Sequence, residues 1–188
     1  DYLSVSDGDR FNNEDVYEYQ IIDASHAPFF FGLVLSVCSL FPNQFSRYFA
    51  FSVNVLAMAG ILIMLFKIVK RITKNNLYAL IATGAFAFSI ACTTMTIYLR
   101  MYATLTFFVL SMIYMNLKIF EGKNTAKFTD FLILGLITLL GTLTQYYFIL
   151  FEGLTGLIML VFQIKERNIK DLIKYIITAV LGSAAALC

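Results

Sequence analysis

Long apolar stretches alternate with short polar or basic segments along most of the chain. Because a helix of about 20 apolar residues crosses the hydrocarbon core of a bilayer, these stretches predict membrane-spanning helices. The predicted spans run approximately from Tyr48 to Phe66, Leu77 to Leu99, Met101 to Ile119, Phe128 to Leu143, Tyr147 to Phe162 and Leu172 to Cys188. The pattern therefore predicts an all-α fold, a polytopic bundle of about six membrane helices.

The apolar stretch from Phe128 to Phe162 is too long for one helix that rises about 1.5 Å per residue. Gly141 and the polar Thr144 and Gln145 interrupt it near its middle. A hairpin of two helices is therefore favoured over one steeply tilted span. We predict a break near Gln145.

The basic residues are grouped, and their spacing predicts an orientation in the membrane. Of the 14 Lys and Arg residues, eleven lie in three clusters. The clusters are Lys67, Lys70, Arg71 and Lys74; Lys118, Lys123 and Lys127; and Lys165, Arg167, Lys170 and Lys174. Since cytoplasmic loops collect Lys and Arg, the clusters predict cytoplasmic turns. The turns between them, around residues 98–102 and 144–147, are then expected on the outer face.

The first 27 residues are polar and acidic, which predicts a loop on the outer face. The next apolar run, from Pro28 to Phe41, is too short to span the bilayer, which takes about 20 residues. We predict an interfacial helix over residues 28–43 and a single membrane bundle over residues 44–188. The chain begins at Asp1 and stops inside an apolar run at Cys188, so we expect a fragment that lacks a first span.

Composition agrees with a membrane protein, since 60% of the residues are hydrophobic and 14% are charged. The net charge of +2 gives no reason to expect nucleic acid as a partner. Cys38, Cys92 and Cys188 lie in apolar stretches without metal-ligand spacing, which predicts buried free thiols. Small residues, among them Gly84, Gly153 and Gly182, are expected where helices pack closely.

Polar residues at the predicted outer turns are the candidates for chemistry. Arg100 stands between two long apolar stretches, where a guanidinium is costly unless it reaches headgroups or meets an anion such as a lipid phosphate. Snorkelling at a tight turn is the alternative interpretation. His26 is the only histidine, and a loop or helix-start role is its simpler interpretation. Glu152 lies inside a predicted span. An ionisable residue there is either a functional residue or the partner of a buried hydrogen-bond donor.

Four short segments, in order, resemble motifs of C-type membrane glycosyltransferases of the protein O-mannosyltransferase and aminoarabinose-transferase kind. Residues 25–30, Ser-His-Ala-Pro-Phe-Phe, resemble the family's His-Pro-Pro-Leu-Tyr-Tyr box. Residues 45–48, Phe-Ser-Arg-Tyr, look like the start of its second span, and residues 100–102, Arg-Met-Tyr, like its Arg-Met-Tyr-Ala turn. Residues 143–147, Leu-Thr-Gln-Tyr-Tyr, look like its Leu-Thr-His-Tyr-Tyr turn.

The chain also departs from the family's motifs. Ala27 replaces the first proline, Gln145 replaces the histidine, and Asp23 lies one place further from His26 than the usual acid. The resemblance implies that the main acidic base lies upstream of Asp1. The alternative candidates for that acidic pair are Glu14 and Asp15.

The resemblance implies an inverting glycosyltransferase that moves a sugar from a dolichyl- or undecaprenyl-phosphate donor to a glycan, lipid or protein acceptor outside the cell membrane. By the same resemblance, Asp23 and His26 are catalytic, and a loop carboxylate activates the acceptor hydroxyl. Arg100 would face the donor phosphate. Tyr102, Gln145 and Tyr146 would bind phosphate or sugar. A divalent cation at the acidic loop is left open.

Two alternatives to a transferase remain from the sequence. A transporter or flippase for a lipid or a small anion would also use an intramembrane Glu and an outer Arg, but it would place polar residues throughout the span interiors. A non-catalytic membrane subunit would explain the altered motifs at Ala27 and Gln145.

Overall fold

The computed structural model describes residues 5–12, 28–122 and 126–187. Over these ranges the chain forms eight α-helices and one short 3-10 turn, with no β-strand, which confirms the all-α prediction. The helices are α1 (Phe29–Ser39), α2 (Arg47–Thr73), α3 (Asn76–Ala87), α4 (Ile90–Ile97), α5 (Tyr102–Glu121), α6 (Phe128–Thr144), α7 (Phe148–Lys165) and α8 (Ile169–Leu187).

Three of these helices, α2, α5 and α7, are long and apolar enough to cross a membrane, and the bent pair α3 and α4 makes a fourth if it counts as one span. The chain is therefore a multi-pass membrane protein. Helix α6, at 17 residues, is shorter, and α8 carries three charged residues in its first two turns. Each of the six predicted spans corresponds to one of these helices or to the bent pair.

The predicted span from Leu77 to Leu99 is not one straight helix, because the chain bends by 57° between α3 and α4. Ser89 causes the break locally. Its backbone is extended, its hydroxyl accepts from the Cys92 N–H at 3.2 Å, and the same hydroxyl donates to the Phe86 carbonyl at 2.6 Å. Serine offers the backbone these bonds in place of helical ones, so it begins a new helix.

The predicted break near Gln145 is confirmed. Helix α6 ends at Thr144, the backbone of Gln145 is extended, and α7 begins at Phe148. The Gln145 N–H donates to the Gly141 carbonyl at 3.1 Å and closes the last turn of α6. The long apolar stretch is therefore a hairpin of two helices.

The chain forms two compact units, residues 1–107 and 108–188, with the boundary inside α5. In the first unit, α1 packs on the start of α2. Phe30, Val34 and Cys38 of α1 are buried in one cluster with Ala50 and Val53 of α2. Helix α1 lies within the predicted interval 28–43 and has 11 residues; its interfacial position stays a prediction.

In the second unit, α6 and α8 pack backbone against backbone. A Cβ added at Gly182 would lie 2.6 Å from the carbonyl oxygen of Gly135. The prediction of close packing is therefore right at Gly182. At Gly84 and Gly153 an added Cβ would meet no atom of the described residues within 4 Å, so the structure shows no close packing there.

The cysteine prediction is confirmed where the structure describes the residues. Cys38 and Cys92 are buried and carry free thiols. Cys188 lies outside the described residues.

Candidate functional site

Arg100 lies in the turn between α4, which ends at Ile97, and α5, which begins at Tyr102. Its side chain is exposed, and its backbone N–H donates to the Tyr98 carbonyl at 2.7 Å. The next residue, Met101, is buried, with 3% of its surface exposed. The turn therefore anchors one side chain inward and presents the guanidinium at the surface of the first unit.

Asn54 of α2, which is fully buried, holds the turn by hydrogen bonds. The Asn54 amide nitrogen Nδ2 donates to the Tyr98 carbonyl at 2.7 Å and to the Thr96 carbonyl at 3.4 Å. Asn54 was not among the candidate residues predicted from the sequence. The available signal was an amide side chain in the interior of an apolar span, where a polar group needs a partner.

An apolar groove of about 390 Å³ lies beside the turn. The rings of Tyr98 and Tyr102 flank it, with centroids 6.3 Å apart and planes inclined by 15°. Both tyrosines are about half exposed, at 54% and 44%. The remaining lining residues are Thr94, Met95, Leu105 and Thr106. Stacked aromatic faces beside a cation suit a ligand with an apolar body and an anionic end.

Gln145 and Tyr146 lie together in the α6–α7 turn of the second unit. Both are half-buried, whereas the following Tyr147 is 68% exposed. Thr144 is fully buried, and its hydroxyl donates to the Leu140 carbonyl of its own helix at 2.7 Å. The structure therefore brings Arg100 and Tyr102 together in one turn, and Gln145 and Tyr146 together in another.

Glu152 lies one turn into α7 and is buried, with 7% of its surface exposed. The Ser183 hydroxyl of α8 donates to its Oε2 at 2.6 Å. Thr138 of α6 lies near the same carboxyl group. Of the two interpretations of Glu152, the structure favours the partner of a buried donor, since the bond joins two helices.

A second apolar groove, of about 330 Å³, runs between the C-terminal halves of α5 and α7. Asn116 and Thr155 are its polar lining residues. At one end of the groove, the rings of Phe120 and Phe162 pack edge to face, with centroids 5.1 Å apart. The Thr155 hydroxyl donates to the backbone of its own helix.

The acidic-loop candidates, Glu14, Asp15, Asp23 and His26, lie outside the described residues. Among the residues that are described, no three His, Cys, Asp or Glu side chains converge as metal ligands would. At the α4–α5 turn, the exposed Arg100 guanidinium supplies a positive charge.

In a comparison with protein-family models, residues 25–187 match the family described as dolichyl-phosphate-mannose-protein mannosyltransferase. The match covers all four segments singled out in the sequence. No curated protein and no solved structure shows a significant match to the chain. The family's name describes transfer of mannose from a lipid-linked donor, which agrees with a membrane-embedded helical protein. The chain belongs to the dolichyl-phosphate-mannose-protein mannosyltransferase family, a family of membrane glycosyltransferases.

Proposed function

We propose that this protein transfers a sugar from a polyprenyl-phosphate donor to an acceptor on the non-cytoplasmic face of the membrane, with inversion at the anomeric carbon. The observation that carries the proposal is the position of Arg100. It is exposed, its turn is hydrogen-bonded to Asn54, and the Tyr98–Tyr102 groove lies beside it. A fixed cation next to an apolar groove suits a phosphate that carries a polyprenyl chain.

The reaction breaks the bond between the anomeric carbon and the phosphate oxygen of the donor. The electron pair of that bond goes to the phosphate, whose negative charge grows as the lipid phosphate leaves. Arg100 would stabilise this charge, because a permanent cation placed where charge develops lowers the barrier. The acceptor hydroxyl attacks the opposite face of the sugar and gives its proton to a carboxylate of the outer loop. Asp23 is the proposed carboxylate of this chain, oriented by His26.

The remaining candidates are proposed to bind parts of the donor. Tyr102, with Tyr98, offers aromatic faces to the isoprene units next to the phosphate. Gln145 and Tyr146, at the other turn, carry an amide and a phenol that hydrogen-bond to sugar hydroxyls. A divalent cation held by the acidic loop is an alternative source of positive charge, and chelation of the membranes with EDTA tests it.

The proposed face rests on charge. The basic clusters begin within the C-terminal parts of α2, α5 and α7, and cytoplasmic ends of membrane helices collect such residues. The α4–α5 and α6–α7 turns come at the opposite ends of those helices. This supports a site outside, where a lipid-linked sugar displayed on the outer leaflet would meet it.

The non-catalytic subunit is the second candidate, and the observation that favours it is Gln145. An amide has no titratable proton, so Gln145 cannot act as the acid or base that a histidine at this position would provide. The proposal does not need that proton transfer, because Gln145 is given a binding role.

Transfer is tested with membranes that contain the full-length protein and radiolabelled polyprenyl-phosphate sugars. The proposal expects label to leave the lipid fraction and to appear in an acceptor, above the level of membranes without the protein. A transporter would instead move the donor across the bilayer with the sugar still attached. An intact, untranslocated donor under every condition would favour the subunit.

A further inference from the structure

Asn54 of α2 hydrogen-bonds to the backbone that carries the Arg100 turn. Its Nδ2 donates to two carbonyl oxygens, those of Thr96 and Tyr98. The Tyr98 oxygen also accepts the Arg100 N–H at 2.7 Å. One carbonyl therefore joins the Asn54 side chain and the Arg100 backbone.

These bonds meet a general requirement at a helix end. The last carbonyls of an α-helix have no partner within the helix, and in a bilayer water does not replace one. Helix α4 has only eight residues and ends at Ile97, and the fully buried Asn54 meets this helix end away from solvent. The Asn54 amide supplies the donors that the helix end lacks.

The orientation of the amide is fixed by the same contacts. If the amide were turned over, its oxygen would face two carbonyl oxygens instead of donating to them. In the observed orientation Oδ1 is buried and has no hydrogen-bond partner among the residues that the structure describes. A buried acceptor without a partner costs free energy. The two hydrogen bonds that Nδ2 donates offset this cost.

We propose that Asn54 is a positioning residue, which holds the α4–α5 turn so that Arg100 meets the donor phosphate. The inference rests on the proposed function. Its physical basis is that a displacement of about 1 Å in a charge-stabilising group costs on the order of 100-fold in rate. Asn54 itself is fully buried, so it would act through the turn and not on the donor directly.

The first test is a double-mutant cycle on sugar transfer by the full-length protein. Asn54→Leu, which is similar in size and has no donor, is expected to lower kcat about 10- to 100-fold with a smaller change in KM. If Asn54 acts through Arg100, adding Asn54→Leu to Arg100→Ala causes no further loss. Asn54→Gln, which keeps the amide, recovers part of the rate. Losses that multiply in the double variant would overturn the inference.

Asn116→Leu is the matched control, since Asn116 is also a buried asparagine of an apolar helix, at 8% exposure. It lies in the second unit, whereas Asn54 and the Arg100 turn lie in the first. We expect it to leave kcat within about twofold of wild type. An equal fall of kcat in both asparagine variants would mean that any buried asparagine matters, and the inference would be abandoned.

A second test needs no activity. A nitroxide label on Arg100→Cys, with the native cysteines replaced, reports the motion of the turn by electron paramagnetic resonance. Adding Asn54→Leu is expected to narrow the spectrum as the turn loosens; an unchanged spectrum contradicts the inference. The turn could loosen in this test while neither the wild-type protein nor any variant transfers sugar from any donor. In that case the proposed function is wrong, but the structural role of Asn54 in holding the turn is supported.

Discussion

The Ser183 hydroxyl of α8 donates a 2.6 Å hydrogen bond to Glu152 Oε2 of α7, and both residues lie within the helix interiors. Ser183→Ala would leave the buried carboxyl group without this donor. We expect a loss of about 0.5–2 kcal/mol of stability, in the range found for hydrogen bonds between membrane helices. Thermal unfolding of the detergent-solubilised protein measures it as a fall of a few degrees in Tm.

Ser52→Ala is the control for this loss. The Ser52 hydroxyl is half-buried and donates to the Phe49 carbonyl of its own helix at 2.6 Å. Its removal breaks no bond between helices, so Tm should stay within about one degree of wild type. Equal shifts in the two variants would show that the bond between Ser183 and Glu152 contributes nothing specific.

The glycine contact between α6 and α8 gives a second prediction. An Ala at Gly182 would place its Cβ 2.6 Å from the Gly135 carbonyl oxygen, a backbone atom that cannot turn away. We expect Gly182→Ala to destabilise the protein by about 1–3 kcal/mol. Gly153→Ala, on a helix face with no atom within 4 Å, should be neutral or slightly stabilising. A Tm for Gly182→Ala equal to that of Gly153→Ala would disprove the close contact.

The tyrosine groove gives a prediction on the donor. Tyr102→Ala removes one of its two stacked rings, and we expect the KM for the polyprenyl-phosphate donor to rise about tenfold, since an aromatic contact is worth about 0.5–1.5 kcal/mol beyond its area. Tyr102→Phe keeps the ring and should stay close to wild type. Tyr48→Ala removes a ring that is 75% exposed at the start of α2 and serves as the control. A normal KM for Tyr102→Ala would exclude the groove as the donor site.

The orientation is testable on α7, an 18-residue helix of about 27 Å. Tyr147 precedes it and Arg167 follows it, and both are exposed. In a background with Cys188 replaced, we expect a membrane-impermeant thiol reagent to label Tyr147→Cys in intact cells. Arg167→Cys should be labelled only after permeabilisation. The reverse pattern would put the site on the cytoplasmic face.

Native thiols should interfere little with this labelling. Cys38 and Cys92 are both buried. Burial also raises the pKa of the Cys38 thiol above its ordinary value, so the reactive thiolate is scarcer at neutral pH. Without an introduced cysteine, the labelling background should therefore be low; strong labelling of Cys38 would contradict its burial.

The sequence predicted the helical class and the hairpin at Gln145, because hydrophobic length and polar breaks are properties of the chain itself. It did not predict the bend at Ser89, since a single serine in an apolar run is compatible with a straight helix. Gly153 and Gly182 look alike in sequence, and only the position of α6 makes Gly182 a contact.

Of the candidate site, the sequence found Arg100 and Tyr102, because their turn interrupts two apolar stretches. It did not find Asn54, whose partners lie more than 40 positions along the chain. Such a contact depends on how α2 packs, which no local pattern reports. The pairing of Glu152 with Ser183, 31 positions away, was hidden for the same reason.

Sugar transfer by full-length Arg100→Ala, compared with Arg167→Ala at equal expression, tests the central claim most directly. Both arginines are exposed and lie in turns, but Arg167 belongs to a basic cluster at the opposite end of α7 from Tyr147. We predict a fall in kcat of about 100- to 1,000-fold for Arg100→Ala, as for removal of a charge-stabilising group, and a change within twofold for Arg167→Ala. Equal rates for the two variants would contradict the assignment of Arg100 to the donor phosphate.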